Sequence, residues 1–269
     1  MMDLVAYNSR TASIVLRQRL NRDSMHKKWP WWLTLIVKYA LFLLFAGMST
    51  VYATNYPVAL GNTTVVIQRH QHGRGKVFVH LHQNEITALR AARAVIRSQG
   101  GSLLTLVHSG ERNIVFSLHH KRYEFDPNRI FTDRGIKKTL LQFGHYSPAA
   151  HKEVKKLAHK IILLLPKGKI IAVHNNQSYS LKNYFPGHDA ARDAQALNYN
   201  AKHHYRNFYL VTKEDDYQRL KKLNFNSIWQ ALNAQDDGSL SVYLAGSDYI
   251  NVEAGYDQLA AQIQMLKHA

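Results

Sequence analysis

The chain has 269 residues, 46% of them hydrophobic, and no cysteine, which fits one domain or at most two with a real core and excludes disulfides and Cys-type metal sites. Its formal net charge of +17 favours anionic partners such as cell-wall polymer or the phosphates of a membrane surface. No aromatic-plus-basic single-strand motif accompanies that charge, so nucleic acid is not an expected partner.

The first fifty residues stand apart. Arg10, Arg17, Arg19, Arg22, Lys27 and Lys28 precede an apolar run from Trp31 to Tyr52, and Val51 and Ala53 suit a signal peptidase. Residues 1–53 read as a signal peptide cut after Ala53, or as a membrane anchor if Lys38 is tolerated near one end of the span. Both readings keep the basic flank inside and place residues 54–269, a single domain, outside the cytoplasm. The expected location is periplasmic or secreted, or facing the periplasm from an inner-membrane anchor. The leader holds seven Lys or Arg against two Asp, so residues 54–269 keep +12 of the charge.

Beyond the leader, Thr64–Gln68 and Lys76–Leu81 read as the two strands of an opening hairpin around Gly73 and Gly75. Ile86–Gln99 has helical apolar spacing at Ile86, Leu89, Ala92, Val95 and Ile96, and Gly100-Gly101 stops it before the strand Leu103–Val107. Two strands, Asn113–Leu118 and Arg122–Phe125, deliver Asp126-Pro127-Asn128-Arg129 to a loop. Helices open at Thr132 and at Ser147-Pro148, and Lys169–Val173 is a buried central strand. A short helix is expected over Asp189–Leu197, strands over Phe208–Val211, Ser239–Leu244 and Tyr249–Val252, and helices over Lys213–Leu223 and Tyr256–Leu266. This alternation predicts an α/β fold: a mixed central β-sheet flanked by helices on both faces.

The chemistry concentrates where strand runs into helix. In Val79-His80-Leu81-His82-Gln83-Asn84-Glu85 the imidazole of His82 and the carboxylate of Glu85 lie three residues apart, a step that lets a strand end and a first helical turn face one point. A hydrolytic zinc ion takes three such ligands and keeps one position for water, and His174, ending an apolar strand, supplies a third. His80 shares a strand face with His82 but lacks the three-residue step. His70, His72, His119 and His120 are expected in solvated turns, and His203 and His204 offer a secondary metal or substrate contact. Glu253, at the end of a later strand, is placed to move the water's proton to the leaving amine. An arginine in the intervening loop can clamp a carboxylate bidentately.

In this order, His82-Gln-Asn-Glu85, Asp126-Pro-Asn-Arg129, Val173-His174-Asn-Asn and Val252-Glu253-Ala-Gly resemble the zinc carboxypeptidase superfamily. The motifs are most similar to its succinylglutamate desuccinylase and aspartoacylase branch, over about residues 75 to 260. The resemblance implies a zinc-carboxypeptidase-like fold and one zinc ion on His82, Glu85 and His174. It implies that Glu253 is the general base, that Asn128 and Arg129 hold a substrate carboxylate, and that a second arginine, Arg112 in preference to Arg122, steadies the oxyanion. The expected activity is cleavage of an amide bond next to a carboxylate-bearing residue, in a peptide, an acyl-amino acid or a cell-wall (peptidoglycan) stem peptide. Gln83 replaces the branch's Gly and Pro127 its Leu, so the branch's small substrates are not carried over. The alternative is a non-catalytic periplasmic binding protein on the same scaffold, recognising wall polymer or a protein partner.

Overall fold

The computed structural model describes residues 51–269; the basic head and apolar run of the leader lie outside them. Strand β1 (Val51–Leu60) turns at Gly61 into β2 (Thr63–His72), and the pair is antiparallel from Leu60↔Thr63 to Val51↔His72. The expected cleavage point at Ala53 therefore falls within β1. Gly61 sits at φ 53°, and a Cβ there would run into the Ser117 carbonyl, so the turn needs glycine twice over.

Strand β3 (Lys76–His80), helix α1 (Ile86–Gln99) and β4 (Gly101–Val107) form a parallel crossover unit. Here the expected opening hairpin fails, because β4 lies between β2 and β3, antiparallel to the one and parallel to the other. The two glycines reverse the chain but do not decide which strand fills the gap. His70 and His72 belong to β2 rather than to a turn. A separate ribbon of β5 (Ile114–Leu118) and β6 (Lys121–Phe125) turns through His119 and His120, both at positive φ.

Helix α2 (Asp133–Gln142) is capped by Thr132 and α3 (Pro148–Leu164) by Ser147, each hydroxyl accepting from the backbone N–H three residues on. Strand β7 (Ile170–Asn176) is buried throughout. The expected helix over Asp189–Leu197 is instead a 3-10 turn followed by an edge strand, β8 (Ala194–Asn198). Strand β9 (Phe208–Val211), helix α4 (Glu214–Lys222) and strand β10 (Ser227–Gln230) follow, and β10 has no counterpart in the sequence reading. The expected strand over Ser239–Leu244 is a short helix, α5 (Leu240–Tyr243), because the Ser239 hydroxyl accepts from the Val242 N–H and caps it. Strand β11 (Tyr249–Gly255) and helix α6 (Leu259–His268) close the chain.

Among the described residues, nine strands make one mixed sheet in the order β1-β2-β4-β3-β7-β11-β9-β10-β8. One face packs Val79, Leu104, Ala172 and Tyr249 against α2, α3 and α5, and the other packs Phe78, Ile171, Val173 and Val252 against α1, α4 and α6. Helices thus cover both faces, as expected. The parallel run β4-β3-β7-β11 sends the ends of β3, β7 and β11 to one edge, where α/β sheets place ligands. Among the described residues no helix is long and apolar enough to cross a membrane.

Candidate metal centre and active site

The site is built on period two. Glu253 pairs in register with His174 across β11 and β7, so both side chains leave the same sheet face, as do Asn176 and Asn251 two residues away. His82 follows β3 and Glu85 is the residue before α1. The loop between them is fixed from beneath by His80, whose Nδ1 meets the Thr105 hydroxyl at 2.9 Å and whose Nε2 meets the Glu85 carbonyl at 3.0 Å. Burial pushes His80 down to about 4, so the ring is neutral, with one nitrogen accepting from Thr105 and the other donating to Glu85. His80 is a support, with both nitrogens used.

His82 Nδ1 stands 2.9 Å from Glu85 Oε1, His174 Nδ1 stands 3.0 Å from Glu85 Oε2, and the two Nδ1 atoms are 3.2 Å apart. All three residues are buried. Burial works against charge on His82, but the Glu85 and Asp126 carboxylates overcome it and hold the imidazolium up to about 9. Burial likewise opposes ionisation of Glu85, and His82 and His174 outweigh it, keeping the carboxyl well below its usual range.

This donor set fits a divalent cation. Atoms bound at about 2.0–2.1 Å in a tetrahedral shell stand roughly 3.3 Å apart; the two Nδ1 atoms, 3.2 Å apart, meet that spacing, and one donor atom from each of the three residues lies within 4.8 Å of the others. His82 Nε2 is 2.7 Å from Asp126 Oδ1, which gives the Nε2 proton an acceptor, so a cation that displaced the Nδ1 proton of the imidazolium would meet the Nδ1 lone pair at the centre.

Asp126 is the residue that the reading of single motifs passed over. It accepts from His82 and from the Asn128 N–H, and Arg112 Nη2 reaches its other oxygen at 3.3 Å while Nη1 holds Glu85 at 2.6 Å. The signal was present: a metal-ligating histidine needs an acceptor for its second nitrogen, and this carboxylate opens the Asp-Pro-Asn-Arg run.

The comparisons with known proteins add little to this geometry. No protein-family model and no curated protein matches the chain. Among solved structures, the chain is similar to an aspartoacylase family protein from Mesorhizobium loti at 11% identity and a TM-score of 0.42, covering 82% of this chain and 66% of that one. The chain thus spans just under two thirds of that protein's length, and a likeness of this size carries no argument about activity.

Beside the triad opens a cavity of about 660 Å³, lined among others by Arg112, Asn128, Arg129 and Glu253. Glu253 is 6% exposed, and its two oxygens accept from Asn176 Nδ2 at 3.0 Å and Asn251 Nδ2 at 3.1 Å. Asn128 Oδ1 accepts from the Leu240 N–H, and Arg129 Nη1 pairs with Asp237 at 3.2 Å. Arg122 lies elsewhere, exposed on β6 and paired with Glu124. His203 and His204 join no metal-holding cluster among the described residues; they pack on Phe225 and Tyr205.

Proposed function

We propose that the protein is a zinc-dependent amide hydrolase of carboxypeptidase or deacylase type. The convergence of His82, Glu85 and His174 on one point, with Glu253 on the same sheet face, supports this reading above any other observation. One zinc ion on the three ligands would supply the Lewis acidity that makes water nucleophilic near neutral pH.

The chain's own groups do the rest. Each Glu253 oxygen takes one amide hydrogen bond and keeps a lone pair, so the carboxylate accepts the proton of the attacking water and passes it to the leaving amine. Arg112, steadied by Glu85 and Asp126, presents its remaining N–H groups to the developing oxyanion. Arg129 and Asn128 line the same cavity and would orient the substrate through the donors they have left.

Zinc content and hydrolysis of an acyl-amino acid and peptide panel test the reading on the full chain. Cell-wall stem peptides belong in the panel because a basic head followed by an apolar run is the pattern expected of an exported chain. Wild type should hold one zinc per chain, His82→Ala should lose it, and Glu253→Gln should keep the metal while turnover falls by about 10²–10⁴-fold. Equal zinc in wild type and His82→Ala would sink the proposal.

A further inference from the structure

The edge where β3 and β7 begin, opposite the metal cluster, has a character of its own. From residue 51 to residue 110 the chain carries six Lys or Arg and a single carboxylate, Glu85, which is held in the cluster. Register gathers part of that charge at one end. Val51 pairs with His72, His72 with Gly101 and Gly101 with Lys76, so the start of β1, the end of β2 and the starts of β4 and β3 share one row. Arg74 lies between β2 and β3 with its carbonyl against Gly100, and Arg97 is in the last turn of α1, just before that glycine. Phe78 pairs with Ile171, which brings Lys169 and the loop holding Lys167 into line with the row.

Arg74, Arg97 and Lys167 are exposed, and none is ion-paired among the described residues; Lys169, towards β11, meets Asp216 and Asp248. Two apolar side chains stand out at the same end. Tyr52, on β1, is 61% exposed, and Leu163, in the last turn of α3, is 65% exposed. The end of α3 is tied here because the Leu164 carbonyl accepts from Arg69, the partner of Thr54 in β1.

We propose that this edge is a docking surface for the anionic phospholipid face of a membrane. Phosphates take the Arg and Lys heads, while Tyr52 and Leu163 enter between the headgroups. Connectivity gives a second reason: the apolar run Trp31–Tyr52 joins β1 in this row, so a bilayer that takes up the run meets this edge first. A nucleic-acid duplex matches the charge but offers the exposed tyrosine and leucine no apolar phase to enter. The metal cluster stays about 15 Å away along β7, at the opposite edge, and the docking surface does not depend on the hydrolase reading.

The test places the full chain on vesicles of phosphatidylcholine, alone or in equal mixture with phosphatidylglycerol, with a nitroxide on some headgroups. The chain has no cysteine, so one fluorophore on Ser98→Cys, beside Arg97, or on Ser109→Cys, beyond the far end of β4, reports its own position. On anionic vesicles quenching at 98 should exceed quenching at 109, and the excess should vanish in about 1 M salt, where charges are screened within about 3 Å. It should also vanish in the triple variant Arg74→Gln, Arg97→Gln, Lys167→Gln, whose leader is untouched, and persist in Lys138→Gln, Lys202→Gln, Lys222→Gln, a triple of exposed lysines elsewhere. Equal quenching on anionic and neutral vesicles, or an excess that the first triple retains, overturns the docking surface. Displacement of the vesicle contact by an equal charge of DNA duplex would make the edge a nucleic-acid surface and overturns it as well.

Discussion

Asn175 and Asn176 are neighbours on β7 that face opposite sides of the sheet. Asn175 Oδ1 accepts from the Ala88 N–H at 2.7 Å, its Nδ2 donates to Gln262 Oε1 at 2.9 Å, and Gln262 Nε2 returns to the His174 carbonyl at 2.8 Å. Asn176 donates to Glu253 and to the Arg206 carbonyl, but its Oδ1 has no partner. The difference recurs around them. Asn84 Oδ1, His174 Nε2 and Asn251 Oδ1 are also buried, unpartnered and on residues that line the cavity. Asn175 and Gln262 on the α1 side are spent on structure, whereas these cavity-lining groups retain capacity for a ligand.

The largest effect should follow from breaking the satisfied side. Asn175→Leu leaves the Ala88 N–H and Gln262 Oε1 buried without partners, each worth about 1–3 kcal/mol, so a loss of about 3–5 kcal/mol in urea unfolding is expected. A loss under about 1 kcal/mol would mean that the α1 face is no better satisfied than the cavity face.

Next comes the support of His82. Asp126→Asn keeps an acceptor for His82 Nε2 but removes the charge, and a competition titration against a chelator should show metal affinity falling about 10–100-fold. Unchanged affinity would make the carboxylate a packing group.

A smaller effect is expected at Gln83, whose Oε1 accepts from the N–H groups of His108 at 2.6 Å and Gly110 at 3.0 Å. That bond pins the loop that carries Arg112 to Glu85. Gln83→Gly should cost about 1–2 kcal/mol of stability and reduce turnover more than substrate binding, while Gln83→Glu, an acceptor of the same reach, should restore both. Failure of the glutamate to rescue would show that the loop holds itself.

The two sides also differed in how far the sequence exposed them. The triad was legible because its parts are local: His82 and Glu85 are three residues apart at a strand-to-helix junction, and His174 and Glu253 each end an apolar run that reads as a strand. The cavity's other wall was not. Ser239-Leu-Ser-Val-Tyr-Leu244 alternates like a strand, and only the Ser239 cap makes it helical. Strands β8 and β10 have five and four residues, too short for periodicity to decide. The contact of Arg129 with Asp237 joins two loops by tertiary structure alone, and no spacing rule reaches across it.

The smallest change in stability should come from a mutation on the cavity side, and it separates the two faces most sharply. Asn251→Leu gives up one hydrogen bond to a charged acceptor, about 1.5–3 kcal/mol, and removes an orphaned oxygen that costs about 1–3 kcal/mol where it stands. The leucine also adds apolar surface beside buried Leu210, its cross-strand partner. These contributions nearly cancel, so unfolding free energy should stay within about 1 kcal/mol of wild type. A loss as large as that of Asn175→Leu would mean that Asn251 is as fully used as Asn175, and the contrast between the two faces would disappear.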